Sequence, residues 1–113
     1  MYINAIMKLP SPTETALLVA LGSQRLTGRE LAVRYQEETG KSISYGTLYT
    51  TMSRLRDLGW VEHSDSEDED GRLRYFEMTG AGTRALAQAR NFFGRLFGFG
   101  KERRHETEAQ ISV

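Results

Sequence analysis

The chain has 113 residues, 39% hydrophobic and 27% charged, which suits one soluble domain and leaves little room for a separate ligand domain. It contains no cysteine, which excludes a disulfide framework and any cysteine-based metal site. Its 15 Lys and Arg balance 15 Asp and Glu, and no apolar run approaches the roughly 18 residues that a bilayer span requires.

The opening segment, MYINAIMKLP, carries one basic residue and a short apolar stretch without a small-residue cleavage site, and is not expected to be a signal peptide. Pro10, Ser11 and Pro12 then interrupt the chain. Thr13 is predicted to cap a first helix, with Glu14 in its first turn. Ala16, Leu17, Leu18, Ala20 and Leu21 give that helix its apolar face, and Gly22 ends it. A second helix opens at Thr27, where Glu30 three residues later completes a capping box. Leu31, Ala32 and Tyr35 share one side of it, and Gly40 is the predicted stop.

After a short extended piece, Lys41 to Ile43, Ser44 is predicted to cap a third helix reaching Leu58. Leu48, Met52 and Leu55 fall within about 60° of one another on a helical wheel. The opposite side carries Gly46, Thr50, Ser53 and Asp57, flanked by Tyr49 and Arg54. That side is small, hydroxylated and aromatic, where an ordinary solvent face would be long and charged. Trp60 and Val61 begin a strand whose partner is Leu73 to Met78, with SDSEDEDG between them as a charged turn. Thr79 caps a fourth helix running to Phe97, its first turn weakened by Gly80 and Gly82. The polar remainder, 98–113, is expected to be a disordered tail.

Helix, helix, helix, hairpin, helix is the order of a winged helix-turn-helix, an α+β fold that is mainly helical. The expected organisation is a DNA-binding domain over 13–78 and a dimerisation helix over 79–97. The major groove of B-DNA is about 12 Å wide and admits one helix, read by residues near its N-terminus. Those residues are Ser44, Tyr45, Gly46, Thr47, Tyr49 and Thr50, with Ser53 one turn further on. Arg54, Arg72 and Arg74 are the expected phosphate contacts.

Zero net charge is an average over opposite patches. Ser23 to Trp60 carries six basic residues and four acids, Thr79 to Phe97 three arginines and no acid, and Val61 to Asp70 six acids without Lys or Arg. The acidic tip, Asp65 to Asp70, is expected to be flexible and held away from DNA.

Three stretches together resemble one family. LTGRELAVRYQEET at 26–39, ISYGTLYTTMSRLRDLGWVE at 43–62 and GRLRYFEMTGAG at 71–82 are similar to the motifs of PadR-like transcriptional regulators. There a TGYEL-like helix precedes an SYGTLYPxLxRLExxG recognition helix and a wing ending GRxRKYYxLTxxG. The resemblance implies a winged helix, a homodimer built by the last helix, and repression at a palindromic operator in the cytoplasm. It places Tyr45, Gly46, Thr47, Tyr49 and Thr50 in the recognition segment, and Gly71, Arg72 and Arg74 on the returning wing strand. Three departures stand out: Thr51 or Thr50 replaces a frequent proline, Arg29 a frequent tyrosine, and the wing tip is acidic where a basic one is expected.

On the fourth helix, the stripe of Leu86, Ala89, Phe92, Phe93, Leu96 and Phe97 exceeds what one small core can cover and reads as the dimer seam. Some members of the family bind flat aromatic compounds at that interface, which would give Trp60 a stacking role; its place after the recognition helix favours the core instead. His63 and His105 are the only histidines, and no nucleophile constellation, phosphate loop or ligand cluster accompanies them. No enzymatic activity, metal or cofactor is therefore expected. The rival to a DNA-binding regulator is a winged-helix module for protein–protein contact, using the acidic loop and the aromatic stripe.

Overall fold

Every described helix begins at a hydroxyl residue whose oxygen accepts the amide proton three residues on, as the unpaired first-turn donors require. A computed structural model describes residues 9–68 and 71–98. In chain order it contains α1 (Pro12–Leu21), β1 (Leu26–Thr27), α2 (Gly28–Thr39), α3 (Tyr45–Asp57), β2 (Val61–Asp68), β3 (Gly71–Met78) and α4 (Gly80–Phe97). The caps are Ser11, Thr27, Ser44 and Thr79. Thr27 and Ser44 lie where the sequence predicts them, as does Thr79. The first cap lies two residues before Thr13, because Ser11 and Glu14 form a complete capping box and Pro12 takes the first helical position, where its missing N–H is no loss. Gly40 and Gly98 end α2 and α4 in left-handed conformations that favour glycine.

One core joins these elements. Leu17, Leu18 and Leu21 of α1, Leu31 of α2, Leu48, Met52 and Leu55 of α3, and Val61 of β2 are all essentially inaccessible. Trp60 belongs to the same cluster, so its ring is a core component and not a platform for a ligand. Leu86 and Ala89, predicted for a dimer seam, are buried within this chain at 6% and 0% exposure, the first half of α4 lying against α1. The part of the stripe left uncovered by this chain therefore begins only at Phe92.

The sheet is three-stranded and antiparallel, ordered β1-β3-β2. The two residues of β1 pair as Leu26 with Phe76 and Thr27 with Tyr75. So short a strand leaves no alternating pattern in the sequence to announce it. The hairpin also runs further than expected. Its register continues from Val61 opposite Met78 to Asp68 opposite Gly71, so Ser64 to Asp68 are strand and not turn. Residues 69 and 70, the N-terminal residues 1–8 and the tail at 99–113 lie outside the described residues. No helix among the described residues is long and apolar enough to cross a membrane.

Tight joints fix α4 to the turn after α3. The Thr79 hydroxyl donates to the Gly59 carbonyl at 2.6 Å, and the Thr79 amide to the Trp60 carbonyl at 3.0 Å. Gly82 lies so close to this joint that a Cβ there would collide with the Trp60 carbonyl.

Candidate nucleic-acid interface

The first turn of α3 differs from those of α1 and α2. Glu14 and Glu30 place a carboxylate at the positive ends of the earlier helices, whereas α3 has no acid in its first turn. The Ser44 hydroxyl is spent on the cap: it accepts the Thr47 amide at 3.1 Å and donates to the Thr47 hydroxyl at 3.0 Å. The amides of Tyr45 and Gly46 point out of the helix start with no intrahelical acceptor, and the macrodipole leaves partial positive charge there. Ser44, Tyr45, Gly46, Thr47, Thr50 and Ser53 are all exposed, and Ser44, Gly46, Thr47 and Thr50 border a shallow open depression. This end of the helix can accept a phosphate or approach base edges without moving anything in its own chain.

Aromatic rings connect this end to the wing. Tyr45 and Tyr49 have ring centroids 6.5 Å apart, and Tyr49 and Phe76 of β3 5.9 Å apart. Tyr45 is 51% exposed and Tyr49 39%. The Tyr49 ring also occupies the space where a Cβ at Gly28 would stand, so the start of α2 must be glycine for Tyr49 to sit there. Tyr49 is thus less a free recognition side chain than a wedge between α2, α3 and β3, with part of its ring left outward.

The three predicted phosphate-binding arginines are all engaged. Arg54 Nε lies 2.7 Å from Glu14 Oε2, while Glu14 Oε1 accepts the Ser11 amide at 2.8 Å. The Glu14 carboxylate is buried, whereas the Arg54 side chain is 62% exposed. Glu14 therefore holds one edge of the guanidinium and leaves the other for solvent or a ligand. An unequal mutational effect is expected: Arg54→Ala abandons a buried carboxylate and costs ~1–3 kcal/mol, whereas Glu14→Gln leaves an arginine that water can reach and costs less. Urea denaturation of the two variants checks this order.

On the wing, Arg74 Nε is 3.0 Å and Nη2 3.4 Å from the Asp65 carboxylate, and Arg72 Nε is 3.7 Å from it. The hydrogen bond from Arg74 holds the Asp65 carboxyl below its usual range and raises Arg74 in turn. A depressed carboxylate is fully ionised above its unfolded-state pKa, so the pair is complete at neutral pH and is lost only as acidification passes below that range. Asp65 is therefore not part of a flexible turn, as its sequence suggests. It is a strand residue facing Arg74. Arg25, which the sequence reading left without a role, stacks over Tyr75 at 4.0 Å and donates to Ser64 Oγ at 2.9 Å. From the position just before β1 it crosses β3 to β2 and braces the base of the wing. Only the arginine itself was visible in the sequence, since the strand that positions it was not.

A family model decides what this architecture belongs to. The model of the transcriptional regulator PadR-like family matches residues 17–88, from the second half of α1 through the first half of α4. The chain belongs to the PadR-like family. Solved structures agree in fold. The PadR-like chain matches hsRosR-S4, solved as a complex, with TM-score 0.73 and 20% identity over 96% of this chain and 92% of that one. It matches a PadR family regulator from Eggerthella lenta DSM 2243 with TM-score 0.64 and 24% identity over 77% and 80% of the respective chains. PadR of Bacillus subtilis, solved with operator DNA, matches with TM-score 0.58 and 21% identity; the alignment covers 65% of this chain and 44% of that longer one. No curated protein matches the chain.

Proposed function

We propose that this PadR-like protein is a sequence-specific DNA-binding repressor that inserts the start of α3 into the major groove of a palindromic operator and acts as a homodimer in the cytoplasm. The observation that carries the reading is the exposed, acid-free, hydroxyl-rich N-terminal half of α3, with Tyr45, Gly46, Thr47 and Thr50 outward. The Thr47 hydroxyl and the first amides suit phosphate, while Thr50 and Ser53, one helical turn apart, suit base edges. Membership of a transcriptional-regulator family supports the same reading, as does the likeness to a PadR solved with operator DNA.

The second half of α4 supports the dimer. Phe92 meets Phe93 edge to face at 5.5 Å, Phe93 stacks on Phe97 at 6.4 Å, and Leu96 and Phe97 are 60% and 58% exposed. Exposed apolar residues in such a stripe are costly in water and mark an interface. A two-fold dimer would set two recognition helices roughly 34 Å apart, on successive major-groove faces of one side of the duplex.

Gel-shift titration with DNA from upstream of the protein's own gene tests the proposal. A specific complex is expected whose log affinity falls linearly with log salt. Equal binding to all duplexes, or none at low salt, would overturn it and favour a protein-binding winged helix, for which the zero net charge is the supporting fact.

A further inference from the structure

Strand alternation decides which way the wing charges face. Side chains two apart share a face, and residues opposite in register share it too. Phe76, Arg74 and Arg72 therefore lie on one face of the hairpin, together with Asp65 and Glu67 opposite the two arginines. Phe76 is buried on that face and its ring meets Tyr49 of α3. This is the face continuous with the recognition helix. The other face carries Tyr75 under Arg25.

Arginines on the groove side of a wing would ordinarily each release a counter-ion on binding phosphate, adding affinity that is blind to sequence. Here one carboxylate already binds both. Its two oxygens take the Nε and Nη2 of Arg74, with the Nε of Arg72 close by, which is the forked geometry that a phosphate would use. We propose that Asp65 is a built-in counter-ion that stands in for DNA phosphate on Arg72 and Arg74, so that the wing adds shape to the complex but little sequence-independent attraction. This rests on the DNA-binding reading above. It makes Asp65 a specificity-determining residue: by suppressing binding to arbitrary duplex, it widens the gap between operator and bulk DNA without touching a base.

Asp65→Asn tests this against a 30-base-pair duplex of mixed sequence, where only backbone contacts contribute. Glu62→Gln is the control. It removes the same unit of charge from β2 on the opposite face, where Glu62 stands across from Glu77. Fluorescence-anisotropy titrations across a salt series should show Asp65→Asn binding this duplex about tenfold more tightly near 0.1 M salt. Its slope of log affinity against log salt should steepen by roughly one to two, one for each freed arginine. Glu62→Gln should leave the slope unchanged, and in an Arg72→Ala/Arg74→Ala background Asp65→Asn should gain nothing. If Asp65→Asn and Glu62→Gln tighten binding equally, or the gain survives loss of both arginines, Asp65 is one acid among several and the proposal fails. Binding by the wild type with no change in Asp65→Asn also overturns it while leaving the DNA-binding reading intact. No binding of this duplex by either protein, even at low salt, overturns the proposal, while the upstream-DNA titration separately decides the DNA-binding reading.

Discussion

Gly46→Glu is expected to make the protein more stable and to abolish its function. Gly46 lies in the first turn of α3, and a Cβ there would touch nothing nearer than the Ser44 hydroxyl oxygen at 4.0 Å. Glutamate has better helix propensity than glycine, and its carboxylate complements the positive end of a helix that has no acid there. Together these should raise stability by about 0.5–1 kcal/mol. The same carboxylate would stand where the proposed interface needs a phosphate, repelling it and covering the amides of Tyr45 and Gly46. A loss of about 2–3 kcal/mol in binding is expected, on the order of 100-fold in Kd. Gly46→Ala, which adds bulk without charge, should lose less. Thermal denaturation and gel-shift titration of both variants separate the effects, and unchanged operator affinity in Gly46→Glu would remove the start of α3 from the interface.

Helix propensity also favours replacing the two glycines in the first turn of α4, and there the structure predicts opposite outcomes. Gly80 has ordinary space: its nearest neighbour to a new Cβ would be the Arg84 guanidinium at 3.5 Å. Gly80→Ala should therefore be neutral or stabilise by up to ~1 kcal/mol. At Gly82 the new methyl group would meet the Trp60 carbonyl and the Met78 side chain. Met78 can swing away, but the carbonyl is backbone and already accepts the Thr79 amide. Relief would require α4 to lift from the turn after α3, at a cost of about 2–3 kcal/mol. For a chain of this size that lowers Tm by roughly 10 °C or more. Equal Tm values for the two alanine variants would show that α4 is free to lift from the Trp60 turn at little cost.

These glycines illustrate what the sequence could and could not convey. Gly80 and Gly82 look alike in the sequence, and both read as weak helix starts. Only the packing of α4 onto the Trp60 turn separates them. Elements with strong local signals were legible: Thr27 with Glu30, Ser44 before Leu48, Met52 and Leu55, and Thr79 before the amphipathic stripe. Features set by distant partners were not. Nothing within β1 marks Leu26 and Thr27 as a strand, because what makes them one is Phe76 and Tyr75 some fifty residues away. Likewise, six acids in ten residues look like a solvated turn until the register places Asp65 across from Arg74. In the candidate interface, the run from Ser44 to Ser53 was readable because helical periodicity alone decides its outward side. The engagement of Arg54 with Glu14, of Tyr49 with Gly28, and of both wing arginines with Asp65 required three dimensions.

The pairing of β1 with β3 has a mechanical consequence. Thr27 is at once the last residue of β1 and the cap of α2, so the first turn of the helix-turn-helix is hydrogen-bonded to the strand that carries the wing. Tyr49 wedges the same corner from α3. Hairpin and reading head are thereby one rigid jaw with no swivel between them. In the proposed dimer, any adjustment to half-sites lying slightly too close or too far apart would then come from the long α4 lever or from bending of the DNA, and not from the jaw.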